Sequence, residues 1–268
     1  MATLHSGGVD LYFDRVGDGP LTVLTHGSWG DGNAWSGVVP KLAEHYEVIT
    51  WDRRGHSRSD DGPGGMRQDA VDLCRLIEHI GGTAHLVGAS FGSIVALKAL
   101  EMRPKLVNKV VVHEPPLLSL LSGQDQWVDE LAKIRRQNEI VVEIIGQKRY
   151  EDAAEYFVDN VGVGPGAWER LPQPVRDGFS ANATTYLGDA PDAFETRAID
   201  WATISDLETP IRLTKGTASP SYNIAVVDQL ARKLPGAEVE VIEGAGHIAY
   251  RSHPELWSEG VLEFLGRS

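Results

Sequence analysis

The stretch LVGASFGS sets Gly88, Ser90 and Gly92 in G-x-S-x-G spacing between an apolar strand and a run of good helix formers. Small residues around the serine permit a sharp, strained turn that exposes its hydroxyl at the head of the strand. The helix that begins just after it brings a positive dipole end close to any oxyanion formed there. A serine hydroxyl attacks only when a base takes its proton. His247, in EGAGHIAY, follows the last strand among small residues that let the loop carry an imidazole to the upper edge of a sheet. His253, just before Pro254 at a helix start, suits a capping role, and His26 and His113 at strand ends read as supporting or turn residues.

The base in turn needs a carboxylate to orient it. In VVVHEPPLLS a buried apolar run ends at Glu114, and Pro115 and Pro116 prevent the strand from continuing, so an acid stands where a strand stops. Asp206, before the penultimate strand, and Asp228, in the helix after it, are the alternatives, and neither sits at a strand's carboxyl end. Ser90, His247 and Glu114 together suit acyl transfer: attack on an ester or lactone carbonyl, an acyl-enzyme, then release by water. An aspartate in place of Ser90 would have suggested epoxide or haloalkane chemistry instead.

The elements that must position these residues alternate along the chain. VDLYFDRV (9–16) alternates like an antiparallel edge strand, LTVLTHG (21–27) reads as a buried strand, and AWSGVVPKLAEHY (34–46) as a helix. EVITWD is the next strand, followed by a glycine-rich loop from Asp52 to Gly65 and a helix on which Ala70, Leu73, Cys74 and Ile77 share a face. Strand AHLVG, helix FGSIVALKALEM and strand VNKVVVHE come next, and this order implies a mostly parallel sheet with helices on both faces. The rhythm breaks from about Leu117 to Thr203, which is helical in pattern, and returns with PIRLTKG, SYNIAVVDQLARKL, AEVEVIEG and HPELWSEGVLEFLG. A helical insertion at that point is best placed as a lid over the carboxyl ends of the strands.

Bulk properties narrow the classes. With 268 residues, 42% hydrophobic and 24% charged, the chain suits one sizeable globular core. A formal net charge of -13 argues against nucleic acid, whose affinity rests on neutralising phosphates. The opening MATLHSGGVD has neither a basic nor an apolar leader segment, and no run approaches the length of a membrane span, so a cytoplasmic location without membrane association is expected. Cys74 is the single cysteine and is expected as a buried core thiol. No His/Cys/Asp cluster has ligand spacing and no dinucleotide glycine pattern follows the first strand, so neither a metal nor another cofactor is expected.

With these motifs together, the chain resembles the alpha/beta-hydrolase family over nearly its whole length. THGSWG (25–30) resembles that family's His-Gly oxyanion-hole turn, and WDRRGHSRSD (51–60) resembles its D-x-R-G-x-G-x-S loop, with His56 or Ser57 in place of a small residue. The resemblance implies an α/β-hydrolase fold: a mostly parallel eight-stranded sheet with helices on both faces and a helical lid inserted after the sixth strand. Residues 1–116 and 204–268 would form the core domain and 117–203 the cap. It also implies an oxyanion hole made by the backbone N–H groups of Ser28 and Phe91. The family usually carries its acid in a G-x-x-D turn after the penultimate strand. Here that turn is KGTASPS, with Ser219 in the acid's place, which returns the search to Glu114. HEPP, this serine-proline turn and SHPE resemble the zearalenone lactonase branch, whose triad is Ser-His-Glu.

The expected ligand is thus a small hydrophobic ester or lactone, with a polyketide-type macrolactone as one candidate and a homodimer kept open as an assembly. Trp29, beside the oxyanion turn, and Tyr186, where the lactonase branch carries a lid aromatic, are the candidate substrate-binding residues. Carbon–carbon bond hydrolysis, cofactor-free chemistry on the same scaffold and a slow-turnover ligand sensor stay open as alternatives, because a fold does not fix a substrate.

Overall fold

The computed structural model describes residues 2–195 and 199–267. Strands β1 (Ala2–Ser6), β2 (Val9–Val16), β3 (Leu21–Thr25), β4 (Glu47–Trp51), β5 (Ala84–Ala89), β6 (Val107–His113), β7 (Ile211–Gly216) and β8 (Glu238–Ile242) form one eight-stranded sheet. Their order is β1-β2-β4-β3-β5-β6-β7-β8, antiparallel at the β1/β2 and β2/β4 pairs and parallel elsewhere. The edge position expected for 9–16 falls to β1, which pairs along the outside of β2 through the tight turn at Gly7 and Gly8.

Around the sheet lie α1 (Val39–Leu42), α2 (Met66–Ile80), α3 (Phe91–Met102), α10 (Ser221–Lys233), α11 (Ala249–Ser252) and α12 (Pro254–Leu265). The insertion between β6 and β7 carries α4 (Val128–Gly146), α5 (Tyr150–Phe157), α6 (Ala167–Arg170), α7 (Gln173–Ala181), α8 (Tyr186–Asp192) and α9 (Trp201–Ser205). Every described residue between Leu117 and Asp206 is helical or irregular, and α9 straddles the 203/204 boundary drawn from sequence. Residues 196–198 of the span 117–203 lie outside the described residues. The helix expected over 34–46 is reduced to a 3₁₀ turn at Gly32–Trp35 and the single turn of α1. Pro40 lacks the N–H that a continuous helix through this point would need, but is tolerated in a first turn, so α1 starts at Val39.

The central strands read as unbroken apolar runs because both of their faces are covered. Alternate residues Leu24, Val48, Val87 and Val111 pack with Trp35, Trp257 and Phe264 of the α1/α12 layer. Val23, Ile49, Leu86 and Val110 pack with Leu73, Ile94 and Val226 on the other side, where Cys74 is also buried. Full burial of each such aliphatic side chain contributes about 1.5–3 kcal/mol. Among the described residues, no helix is long and apolar enough to cross a membrane.

Register brings the functional loops together. Thr25 pairs with Gly88, Ala89 with His113 and His113 with Thr214, so β3, β5, β6 and β7 end nearly level. The chain order reverses between β3 and β5, and the loops leaving them diverge to open a crevice there. The β5-to-α3 turn is closed against β3: a Cβ on Gly92 would lie 2.1 Å from the carbonyl oxygen of Thr25. Gly92→Ala is therefore expected to lower the unfolding free energy by about 1–3 kcal/mol or more. Urea unfolding followed by far-UV circular dichroism checks it, and a wild-type midpoint would show that the turn is not sterically closed.

Candidate active site

Ser90 sits at the corner between β5 and α3 with φ 52° and ψ -124°, a conformation that bulky L-residues avoid. It is held there by its own N–H, which donates to the carbonyl of His113 on the neighbouring strand at 2.8 Å. Of the five non-glycine residues with positive φ among the described residues, three are Trp29, Ser90 and Glu114, so backbone strain concentrates at these loop tips. Phe91 opens α3, so its N–H has no acceptor within the helix. Ser28, Ser90, Phe91 and His247 line one cavity together.

His247 lies in the loop between β8 and α11. Its Nε2 is 3.0 Å from Ser90 Oγ and its Nδ1 is 2.8 Å from Glu114 Oε2. An ionised carboxylate only accepts, so the ring proton resides on Nδ1 and Nε2 faces the serine hydroxyl as an acceptor. The side-chain amide of Asn223, from α10, stands 3.2 Å from the same Nδ1. The histidine loop is seated on Gly216, where a Cβ would come within 2.0 Å of the Ala245 carbonyl oxygen.

Glu114 has no exposed surface. Its Oε1 accepts from the Ser219 hydroxyl at 2.5 Å and from the Gly216 N–H at 2.8 Å, while Oε2 accepts from His247. Burial pushes the carboxyl pKa up, but the His247 hydrogen bond and charge, together with the Gly216 amide, outweigh it and hold the group down at about 2. Ser219, in the turn after β7 where the sequence resemblance puts an aspartate, thus donates to Glu114. Of the alternative acids, Asp228 pairs with Lys215 and Asp206 ends α9. His253 precedes α12, with Nδ1 2.9 Å from the Ser252 hydroxyl.

The cavity above Ser90 has a volume of about 60 Å³. Its walls combine Pro116, Leu118, Ile134 and Phe157 with a polar side made by Asn138, Tyr186, Asp189, Tyr222 and Asn223. Tyr186 donates its hydroxyl to Asn138 Oδ1 at 2.7 Å. Trp29 does not line this cavity: it is fully buried behind Tyr186 and Phe157, with ring centroids 5.3 and 5.0 Å away. A larger open cleft of about 540 Å³, bordered by Trp29, Phe179 and Tyr250, contains neither Ser90 nor His247. The helical insertion is pinned beside the site by Asn182. Its Nδ2 donates to the Trp29 and Gly30 carbonyls at 3.1 and 3.0 Å, and its Oδ1 accepts from the Ser57 N–H at 2.7 Å. Among the described residues, no three His, Cys, Asp or Glu side chains are grouped as metal ligands.

Residues 22–259 match the alpha/beta hydrolase family. The chain belongs to that family. This hydrolase is 27% identical over 263 residues to a pimeloyl-[acyl-carrier protein] methyl ester esterase of Methylococcus capsulatus, covering 96% of this chain and 99% of the relative. It is 34% identical over 148 residues to an uncharacterised hydrolase, YraK, of Bacillus subtilis, a match spanning 52% of this chain and 55% of that protein's length. Among solved structures, an alpha/beta hydrolase from Sphaerobacter thermophilus superposes with a TM-score of 0.78 at 26% identity, covering 98% of this chain and 100% of the other. A thermophilic esterase from Thermogutta terrifontis, at 21% identity and a TM-score of 0.77 over 98% and 96% of the two chains, shares the fold.

Several wall residues of this hydrolase carry no sequence signal: Asn138, Asp189 and Tyr222 meet only through tertiary packing. Asn223 lies in the helix that follows the Ser219 turn, and that adjacency is the one cue pointing to it. The depressed Glu114 pKa has a measurable consequence. Its ionised form stabilises the fold fully above the ordinary value of 4.5, and that contribution is lost as pH falls through about 2. Glu114→Gln is expected to be less stable at neutral pH by on the order of 3 kcal/mol, the difference closing on acidification. Chemical unfolding of both proteins between pH 7 and pH 2 checks this; a gap that does not narrow would show that the charge is not what stabilises.

Proposed function

We propose that this hydrolase is a carboxylesterase or lactonase acting through an acyl-enzyme, with Ser90 as nucleophile, His247 as base and Glu114 as the acid that orients it. The observation that carries this reading is the continuous relay from Glu114 Oε2 through both His247 nitrogens to Ser90 Oγ, at 2.8 and 3.0 Å, on the floor of a mostly apolar cavity. As Ser90 Oγ bonds to the substrate carbonyl carbon, its proton passes to His247 Nε2, and Glu114 stabilises the resulting imidazolium. The carbonyl oxygen, now negative, accepts from the N–H groups of Ser28 and Phe91. Collapse expels the alkoxide, which takes the proton from His247. Water repeats the cycle on the acyl-enzyme, leaving the free acid and a regenerated serine. The esterase relatives support the ester class.

The helical insertion acts as a lid in this reading, and its wall sets the substrate. A water needs about 10–15 Å³ by the same measure, so about 60 Å³ holds an acyl group of only a few heavy atoms. A macrolactone of the zearalenone type exceeds that volume and requires the insertion to move outward. No cationic side chain lines the cavity, and Asp189 and Glu114 stand near it, so neutral acyl groups are favoured over anionic ones.

A series of p-nitrophenyl esters from acetate to octanoate tests both the chemistry and the size limit. Ser90→Ala is expected to lower kcat by about 10³-fold or more, and Glu114→Gln by about 10²–10⁴-fold. Wild-type turnover by the alanine variant would remove Ser90 as the nucleophile. Within the series, kcat/KM is expected to peak at acetate to butyrate; an octanoate preference would overturn the size reading. If Tyr186 contacts the substrate, Tyr186→Ala raises KM for aromatic acyl esters far more than for acetate, and equal effects would remove it from the binding surface.

A further inference from the structure

Arg53 is the second residue of the loop after β4, and none of its surface is exposed. Its Nη1 donates to Asp69 Oδ2 of α2 at 2.5 Å and to Asp189 Oδ1 of α8 at 3.1 Å. Its Nη2 donates to Asp189 Oδ2 at 2.9 Å and to the carbonyl oxygen of Gly27 at 3.3 Å. Its Cζ lies 4.7 Å from the centre of the Phe91 ring. One guanidinium thereby touches the core helix α2, the insertion, Gly27 just beyond the end of β3 and Phe91 beside Ser90, all at the carboxyl edge of the sheet.

The Gly27 contact matters because that carbonyl and the N–H of Ser28 belong to one peptide unit. His26 Nδ1 also donates to the same oxygen, at 2.8 Å, while His26 Nε2 accepts the backbone N–H of Arg53 at 3.0 Å. Burial, then the charge of Arg53 and the neighbouring His56, hold His26 well below its ordinary pKa, so it stays neutral with its proton on Nδ1. Two donors on one carbonyl oxygen fix the plane of the peptide and polarise it, which aims and strengthens its N–H as a donor. A buried ion cluster is no aid to stability compared with apolar packing of the same volume, so this one points to geometry that must be held. Lysine would not reproduce it, since a point ammonium cannot span two carboxylates and a carbonyl in fixed directions.

We propose that Arg53 is a positioning residue that sets both oxyanion donors, through the Gly27 carbonyl and the Phe91 ring, and that its pairing with Asp189 makes this setting depend on the helical insertion being seated. This rests on the acyl-transfer reading above. It assigns the loop after β4 a part in transition-state stabilisation, and it predicts that Asp189 of the insertion affects the chemical step through Arg53.

The test compares wild type, Arg53→Lys and the double variant Arg53→Met/Asp69→Asn, which removes one cation and one anion of the cluster together; a far-UV circular dichroism spectrum and a retained methyl ketone affinity show that each variant is folded. Three quantities are measured: turnover of p-nitrophenyl acetate, affinity for an aliphatic trifluoromethyl ketone that adds to the serine as a tetrahedral mimic, and affinity for the matching methyl ketone, which does not add. Both variants are expected to lose about 10–100-fold in kcat with KM nearly unchanged. Trifluoromethyl ketone affinity should fall by the same factor as kcat/KM, and methyl ketone affinity should hold. Asp189→Asn should move the first two in the same direction by a smaller factor. Wild-type kcat in both Arg53 variants, or equal weakening of the two ketones, would overturn the inference alone. A wild type that neither hydrolyses the ester nor captures the trifluoromethyl ketone on Ser90 would bring down the acyl-transfer reading and this inference with it.

Discussion

Glu114 is ionised and sealed from solvent, and that one charge sets the terms for the carboxyl edge of the sheet. An unpaired buried carboxylate costs several kcal/mol, so each of its oxygens must find donors. Those donors come from three directions: the β7 end at Gly216, the turn at Ser219 and the loop of His247. Each demands something of the backbone. β6 and β7 must end level, Gly216 must carry no side chain so that the Ala245 carbonyl can approach, and Glu114 itself must accept a φ of 44°. The strain at one residue is offset by the hydrogen bonds that only this conformation allows.

A second buried charge system lies on the far side of the same cavity. Around Arg53, two carboxylates share one guanidinium, and Asp69 is raised to about 7 by burial and by the nearby Asp189, against the pull of Arg53. Asn182 and Asp192, which accepts the Met66 N–H at 2.7 Å, add two further polar ties between the insertion and the core. Polar contacts of this kind are directional, and they fix the insertion at one angle where an apolar contact would let it slide. The aromatic stack of Trp29, Phe157 and Tyr186 fills the space between them. The cavity is small because both of its ends are anchored.

How much of this could be read from the chain depends on how local each signal is. Ser90 was legible because strand, glycine-flanked turn and helix are contiguous, and His247 because its loop is short and made of small residues. Glu114 was legible for a different reason: a charge between an apolar run and two prolines has few places to go. Arg53 was not, since a buried arginine and a solvated one have the same neighbours in sequence and differ only in the distant carboxylates that meet it. The same holds for Asn138, Asp189 and Tyr222. Strand β1 leaves little trace in the sequence because five residues with a weak alternation carry little pattern, and the periodicity over 34–46 overstates its helix because Gly37 and Pro40 interrupt it. The level ends of β3, β5, β6 and β7 are a matter of register, which no single segment contains.

The Glu114 carboxylate stands at the root of the insertion, with only Pro115 and Pro116 between it and the first residue of the helical segment's lead-in, Leu117. The Leu117 N–H folds back onto the Pro115 carbonyl at 2.8 Å, so these residues form a rigid knuckle in place of a hinge. Any outward swing of the insertion is thereby decoupled from the carboxylate, and bending begins beyond the knuckle. The same arrangement divides the chain into inheritable parts: an exchange of insertions between related hydrolases that cut at the end of β6, His113, would replace Glu114 itself, whereas a junction placed after Leu117 would transplant a new pocket roof and leave the Glu114–His247–Ser90 hydrogen bonds intact.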